Sequence, residues 1–372
     1  MTRAEAGSFV PDWISPPGDT ILDLVDERGW TQADLADRLG YSRKHVNQLV
    51  RGKASLSEDA ALRLHRVLGG SVGFWLTREA RYRERLAVSR EAGLYEGWGD
   101  WLEELPVEAM MEAGAITRRR MVASAKVRVV GECLAFFGVA SPEQWRARCV
   151  GTEGAFRRGT AKDGDRASTA VWLRLGELQA EQLRLPAYDR ERFTQALKEI
   201  RDLTVEPPDV FEPRMRSLLH AAGVGFVLVP AIPRARVSGV ARWLHRNPLI
   251  QLSLFGKTND RFWFSFFHEA AHILLHADDR KSVWLDDAGR RPGTNEAEAE
   301  ADRWAANRLI PSPHDPELHR LRDRRSICAF AQRVGVHPGV VVGRLQHERL
   351  LAFDQMNGLK ARFKFGGESS PA

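Results

Sequence analysis

Along the first seventy residues, apolar side chains recur every three or four positions, the interval that lays them on one face of a helix. In TILDLVDERGWTQADLADRLGYSRKHVNQLVRGKASLSEDAALRLHRVLG the pattern is punctuated at Gly29 and Gly40, which predicts four short helices. Thr31 caps the helix whose Leu35, Ala36 and Leu39 face inward; Gly40 makes the turn, and Ser42 caps the next, whose Val46, Leu49 and Val50 face the same interior. Residues 92 to 215 also read as mostly helical, with Trp98, Trp101, Phe136, Phe137, Trp145, Trp172 and Phe193 as core anchors and Gly138, Pro142, Pro186, Pro207 and Pro208 as breaks. Near Gly223 the character changes: VGFVLVP, SGVARWL and LIQLSLF have the look of two or three strands in a small sheet. Two helices follow, an apolar one around RFWFSFFHEAAHILLH and one in NEAEAEADRWAANRLIP, stopped by Pro311. Ser326 to Val334 and His337 to Leu345, divided by a glycine turn, suggest two last short helices, a second helix-turn-helix-like unit used for packing.

The apolar helix carries the sharpest chemistry. His268 and His272 stand four apart, so both imidazoles can reach one metal ion, and Glu269 sits beside that face, placed to take a proton from water. Zinc suits such a donor set, with one position left open for water. The alternative, a buried helix with two hydrogen-bonded histidines, would need polar partners for both rings. A metzincin continuation is excluded, because Leu275 stands where its glycine belongs and Asp278 where its third histidine belongs. The remaining option is a carboxylate from the second helix, which offers Glu296, Glu298 and Glu300. Glu298 is chosen: Asp302 lies four residues on, so one carboxylate can bind metal while the other orients a ligand histidine through its second ring nitrogen. Glu300 is the reserve, and Glu296 reads as a solvent-facing charge.

At the other end, Thr31 to Arg51 form a helix-turn-helix, with Gly40 at the turn. The outer face of its second helix shows Ser42, Arg43, Lys44, Asn47, Gln48 and Arg51, donors and amides that can read base edges or grip phosphates in a major groove. Gln32, at the start of the preceding helix, is placed for the DNA backbone. His45 sits at the edge of the face and is given no role.

The stretch NPLIQLSLFGKTNDRFWFSFFHEAAHILLH with EAEADRWAANRLIP resembles the ImmA/IrrE family of zinc metallopeptidases, over about residues 216 to 320. The resemblance implies that His268, His272 and Glu298 are the zinc ligands, that Glu269 is the general base, and that the target is a DNA-binding repressor which such proteins cleave or relieve. Trp304 stands where that helix commonly carries Phe. Residues 19 to 88 resemble the Cro/C1 type of helix-turn-helix and, with RGKASLSEDAALRLHRVLGGSVGFWL, especially antitoxins of the HigA kind.

The expected architecture is multidomain and mainly α. It comprises a flexible N-terminus (1–18), an all-α helix-turn-helix head (19–90), a helical middle segment (91–215), an α+β zincin-like peptidase domain with a small sheet (216–320), and a helical C-terminal part with a disordered tail (321–372). At 372 residues, 43% apolar and 28% charged, the chain has length for two or three folded domains. A net charge of +6 favours a polyanionic partner. Cys133, Cys149 and Cys328 form no regular framework, so the expectation is buried thiols in a reducing cytoplasm. The N-terminus lacks a signal-peptide pattern and no apolar run is long enough to span a bilayer, so neither export nor membrane insertion is expected.

The expected function is a DNA-binding regulator that carries a zinc-dependent endopeptidase. Its partners are a double-stranded operator, bound as a homodimer, and a protein substrate: a transcription factor, a toxin or its own interdomain segment. The alternative is a HigA-like antitoxin or repressor whose zinc domain senses a ligand or binds a toxin without cleaving. His337 and Arg344 are candidates to steady an oxyanion in the cleft.

Overall fold

The computed structural model describes residues 15–151, 163–254, 256–276, 283–287 and 296–364. The chain forms two compact units, residues 1–97 and 98–372. The side chain of Cys149 and the segments expected to be flexible at 1–14 and disordered from Gly366 lie outside the described residues.

The described residues of the first unit form five helices: α1 (Pro17–Glu27), α2 (Gln32–Leu39), α3 (Arg43–Val50), α4 (Glu58–Leu68) and α5 (Val72–Gly97). Thr31 and Asp34 close a capping box at the start of α2, and Gly40 ends it in the left-handed conformation (φ 67°), which costs glycine no Cβ clash. Leu35, Ala36, Leu39, Val46 and Val50 join Ile21, Leu64 and Trp75 in one core, as the helical spacing requires. The structure moves the start of this unit, because Pro17 and Gly18 are buried in α1 rather than part of a flexible N-terminus. A Cβ on Gly18 would stand 1.7 Å from the Val50 carbonyl oxygen, so only glycine lets α1 approach α3 there. At the other end α5 runs past the expected boundary at residue 90 to Gly97.

The second unit opens with α6 (Val107–Glu112), α7 (Ala123–Phe137), α8 (Pro142–Gly151), α9 (Asp163–Glu181), α10 (Arg190–Asp202) and α11 (Pro208–Ala221). The breaks lie where glycine and proline demand them: Gly138 ends α7 in the left-handed region, and Pro142 and Pro208 begin their helices. Then come β1 (Gly225–Leu228), β2 (Val237–Leu244), β3 (Asn247–Leu252), α12 (Asn259–Leu275), β4 (Val283–Asp287), α13 (Glu296–Leu309), α14 (Arg324–Val334) and α15 (Pro338–His347). The strands form one sheet in the order β1-β3-β2-β4, parallel between β1 and β3 and antiparallel elsewhere. The fourth strand was not among the expected two or three.

Alternation along the strands gives the sheet two packed faces. Ala241, Ile250 and Leu252 turn into the core that contains α12. Arg242 and Gln251 turn to α9, where Arg242 meets Glu177 at 2.7 Å and donates to the Leu173 carbonyl, and Gln251 donates to the Trp172 carbonyl. Burial of that guanidinium is compensated by three oxygen partners rather than by solvent.

One core runs from Phe193 through Met215, Phe266 and Phe267 to Phe330, Leu345 and Phe363. The expected divisions at 215 and 320 therefore cut through shared packing rather than between compact units. α14 and α15 repeat the helix-turn-helix spacing, with Gly335 left-handed at the turn, yet the outer face of α15 is consumed internally. Gly339 and Gly343, four apart, lie so close to Asn259 and Asp260 that a Cβ on either would stand within 2.5 and 2.7 Å of those side chains. After α15 the chain returns to the start of α12: Thr258 bridges Arg362, Lys360 pairs with Asp260 at 2.6 Å, and Phe363 packs on Phe262.

Candidate metal centre and nucleic-acid interface

Almost every side chain of α12 from Phe262 to Leu274 is buried, so polar groups on it must be matched by other groups of the protein. α13 supplies the match. Its Ala301 and Ala305 are fully buried, and such small residues let the two helices approach closely enough for short acidic side chains to reach across.

At the crossing, His268 Nε2 lies 3.0 Å from His272 Nε2 and 3.2 Å from Glu298 Oε2, and His272 Nε2 lies 3.6 Å from the same oxygen. Three lone-pair donors thus converge on one point. Tetrahedral coordination at about 2.0–2.1 Å separates ligand atoms by about 3.3–3.4 Å, so these spacings fit a single divalent ion. Burial lowers the His272 pKa to about 4, which keeps its imidazole neutral and its lone pair available near neutral pH. Behind His268, Asp302 Oδ1 sits 2.8 Å from Nδ1, the orienting contact expected from the Glu298 and Asp302 spacing.

Glu300 and Glu296 stay out of this cluster. Glu296 is exposed, and Glu300 meets His276 Nε2 at 3.2 Å, while His276 Nδ1 lies 3.1 Å from His272 Nδ1. The reserve residue therefore braces the far side of His272 through His276. Sequence reasoning missed this contact, although His276 follows His272 by one further helical turn.

Glu269 is completely buried on the adjacent face, beneath β2. A Cβ at Gly239 would stand 2.7 Å from Glu269 Oε1, so the strand reaches over the carboxylate only because position 239 has no side chain. No sequence pattern had singled out Gly239. Trp304, where a Phe was noted as common, packs beside Phe267 and leaves the donors together.

Of the two candidates for the cleft, His337 lies at the far end of α12 from the donor cluster, and Arg344 is engaged in ion pairs. His337 caps α15, its Nδ1 accepting from the Gly339 amide at 3.0 Å and lying 2.7 Å from Asn259 Nδ2. Asn259 begins α12, about 13 Å along the helix from His268 at 1.5 Å per residue. Arg344 is held by Glu348 and by Asp315.

In the first unit, α3 presents the residues expected on its outer face. Ser42, Arg43, Lys44 and Arg51 are exposed, Asn47 and Gln48 are half-buried, and Gln32 is half-buried at the start of α2. Ser42 Oγ accepts from the His45 amide at 3.2 Å, fixing the helix entry. His45 packs edge-on against Tyr41.

Residues 21–75 match the family model described as helix-turn-helix, and residues 235–346 match the one described as IrrE N-terminal-like domain, a peptidase family. No curated protein and no solved structure matches the chain. The two family matches give an XRE-type helix-turn-helix at the N-terminus and an ImmA/IrrE-like domain toward the C-terminus, as the sequence resemblances implied. The second match takes in the His268, His272 and Glu298 cluster and extends through α14 into α15. Among the described residues, no helix is long and apolar enough to cross a membrane.

Proposed function

We propose that this chain is a transcriptional regulator that binds DNA through α3 and carries a zinc-dependent endopeptidase in its second unit. The observation that carries the reading is the convergence of His268, His272 and Glu298 with Glu269 buried on the same helix. Two imidazoles and one carboxylate are the donor set of a catalytic zinc site with an open position. Zinc bound there supplies a Lewis acid for the peptide carbonyl and lowers the pKa of water.

The residues then divide the work. Glu269 takes a proton from the attacking water at a carboxylate oxygen and passes it to the departing amine nitrogen, so that water and peptide become a carboxylate and an amine. Asp302 Oδ1, 2.8 Å from His268 Nδ1, would hold that ring so that the Nε2 lone pair faces the centre. On the DNA side, Arg43, Lys44, Asn47 and Gln48 read the major groove, Ser42 and Arg51 flank them, and Gln32 meets a phosphate. Two chains occupy the half-sites of a two-fold operator, and the substrate is a regulatory protein, a transcription factor or a toxin.

The test is incubation of the zinc-loaded protein with the products of neighbouring genes. Cleavage that disappears in Glu269→Gln, with metal retained, supports the reading. Glu269→Gln indistinguishable from wild type in every regulatory readout replaces it with a HigA-like antitoxin or repressor that does not cleave.

A further inference from the structure

We infer that Glu300 and His276 are positioning residues of the metal centre: through His276, Glu300 decides which nitrogen of His272 carries the proton and so which nitrogen is offered to the ion. This rests on the metal-centre part of the function proposed above. His268, His272 and His276 follow one another at intervals of four and therefore share one side of α12. The third closes the helix, its amide donating to the His272 carbonyl oxygen at 3.1 Å, so its ring starts from a fixed backbone. That ring stands 5.2 Å from the His272 ring, centroid to centroid. Its Nδ1 lies 3.1 Å from His272 Nδ1, and its Nε2 lies 3.2 Å from Glu300 Oε2.

These two contacts determine each other. A neutral imidazole carries one N–H and one lone pair, whereas an ionised carboxylate can only accept. With both rings neutral, the contact with Glu300 puts the His276 proton on Nε2 and leaves a lone pair on its Nδ1. His272 must then donate from Nδ1, since two facing lone pairs make no hydrogen bond. Its own lone pair is left on Nε2, the nitrogen that faces His268 Nε2 and Glu298 Oε2.

His268 receives the same instruction by a shorter route, with Asp302 Oδ1 directly behind its Nδ1. α13 thus supplies one carboxylate to set each ring and a third, Glu298, to complete the donor set. The longer route has a physical reason. The His272 side chain is 1% exposed and that of Glu300 51%, so the half-buried His276 carries the influence of a surface carboxylate to a ring that the carboxylate does not touch.

The experiment uses the full-length, zinc-loaded protein with 15N-labelled histidine, and NMR reads the tautomer of His276, assigned by the signal missing in His276→Leu. Zinc affinity is measured by competition with a chromophoric chelator, and melting temperatures of the metal-free variants identify any that fail to fold. Wild type should show His276 protonated at Nε2. Glu300→Gln keeps an accepting oxygen and should bind zinc within about twofold of wild type. Glu300→Lys offers only donors, drives the His276 proton to Nδ1 against that of His272, and should lower zinc affinity about tenfold. His276→Leu, which leaves His272 Nδ1 without this acceptor, should lower it by about as much. Glu296→Lys makes the same charge change at an exposed position of the same helix and should stay within about twofold of wild type. His276 protonated at Nδ1 in wild type, or zinc affinity in Glu300→Lys no lower than in Glu296→Lys, overturns the relay alone. Absence of zinc uptake by wild type overturns the metal-centre reading and the relay with it.

Discussion

Asp302 grips His268 from behind the donor cluster, with Oδ1 2.8 Å from Nδ1, while Glu298, one helical turn earlier, faces the Nε2 side of the same ring. One imidazole is thus held between two carboxylates of α13 with different tasks. Asp302→Ala should leave the three donors in place yet weaken metal binding about 10- to 100-fold. Glu298→Ala should lose the metal under the same conditions, and competition with a chromophoric chelator separates the two. Full occupancy in Glu298→Ala with loss in Glu300→Ala would reassign the third ligand.

Gly239→Ala tests the closeness of strand and carboxylate. The added methyl would stand 2.7 Å from Glu269 Oε1 and 2.8 Å from Leu252 Cδ2, with no room to turn aside in a packed sheet. We expect overpacking to cost about 1–3 kcal/mol of stability. A carboxylate displaced by a fraction of an ångström should lower the cleavage rate by about one to two orders of magnitude, with metal content unchanged. A variant with wild-type melting and turnover would show that β2 does not constrain Glu269.

The recognition helix predicts a two-part response. Replacing Arg43, Lys44, Asn47 and Gln48 together by Ala should lower operator affinity by about two orders of magnitude or more and flatten its salt dependence, since the two cations no longer displace counterions. Hydrolysis of a free peptide in dilute solution should not change. Operator affinity within about twofold of wild type would remove α3 from the groove.

Cys133 offers a check on the packing of the second unit. Burial raises its thiol pKa to about 12, so at pH 8 about one molecule in 10⁴ carries the thiolate that alkylating reagents attack. The native protein should resist iodoacetamide at this position and react fully in denaturant. Rapid native labelling of Cys133 would contradict the core around α7.

What the sequence made legible, and what it did not, divides along a physical line. Helical periodicity placed Leu35, Leu39, Val46 and Val50 in their core, and the four-residue spacings of His268 with His272 and of Glu298 with Asp302 foretold which side chains meet. Such features are local, because a helix repeats within one turn. Gly239 over Glu269, Gly18 against Val50 and β4 beside β2 join residues distant in sequence, and nothing in the periodicity of either partner announces the other. His337 misled for the same reason: a histidine following a left-handed glycine fits a cap as well as a cleft, and only the tertiary contact with Asn259 decides.

The return of the chain to the beginning of α12 has a consequence in time. Lys360 ties to Asp260 and to Gln346, Ala361 accepts from the Asn259 amide, and Phe363 covers Phe262, so the helix that bears His268 and Glu269 receives its final contacts from the last residues described. During synthesis those residues leave the ribosome well after the first unit has emerged and can fold. On the proposed function, the unit that carries α3 is therefore complete while the unit that carries the donor cluster is still being assembled, and a nascent or C-terminally truncated chain should occupy an operator before it can cut.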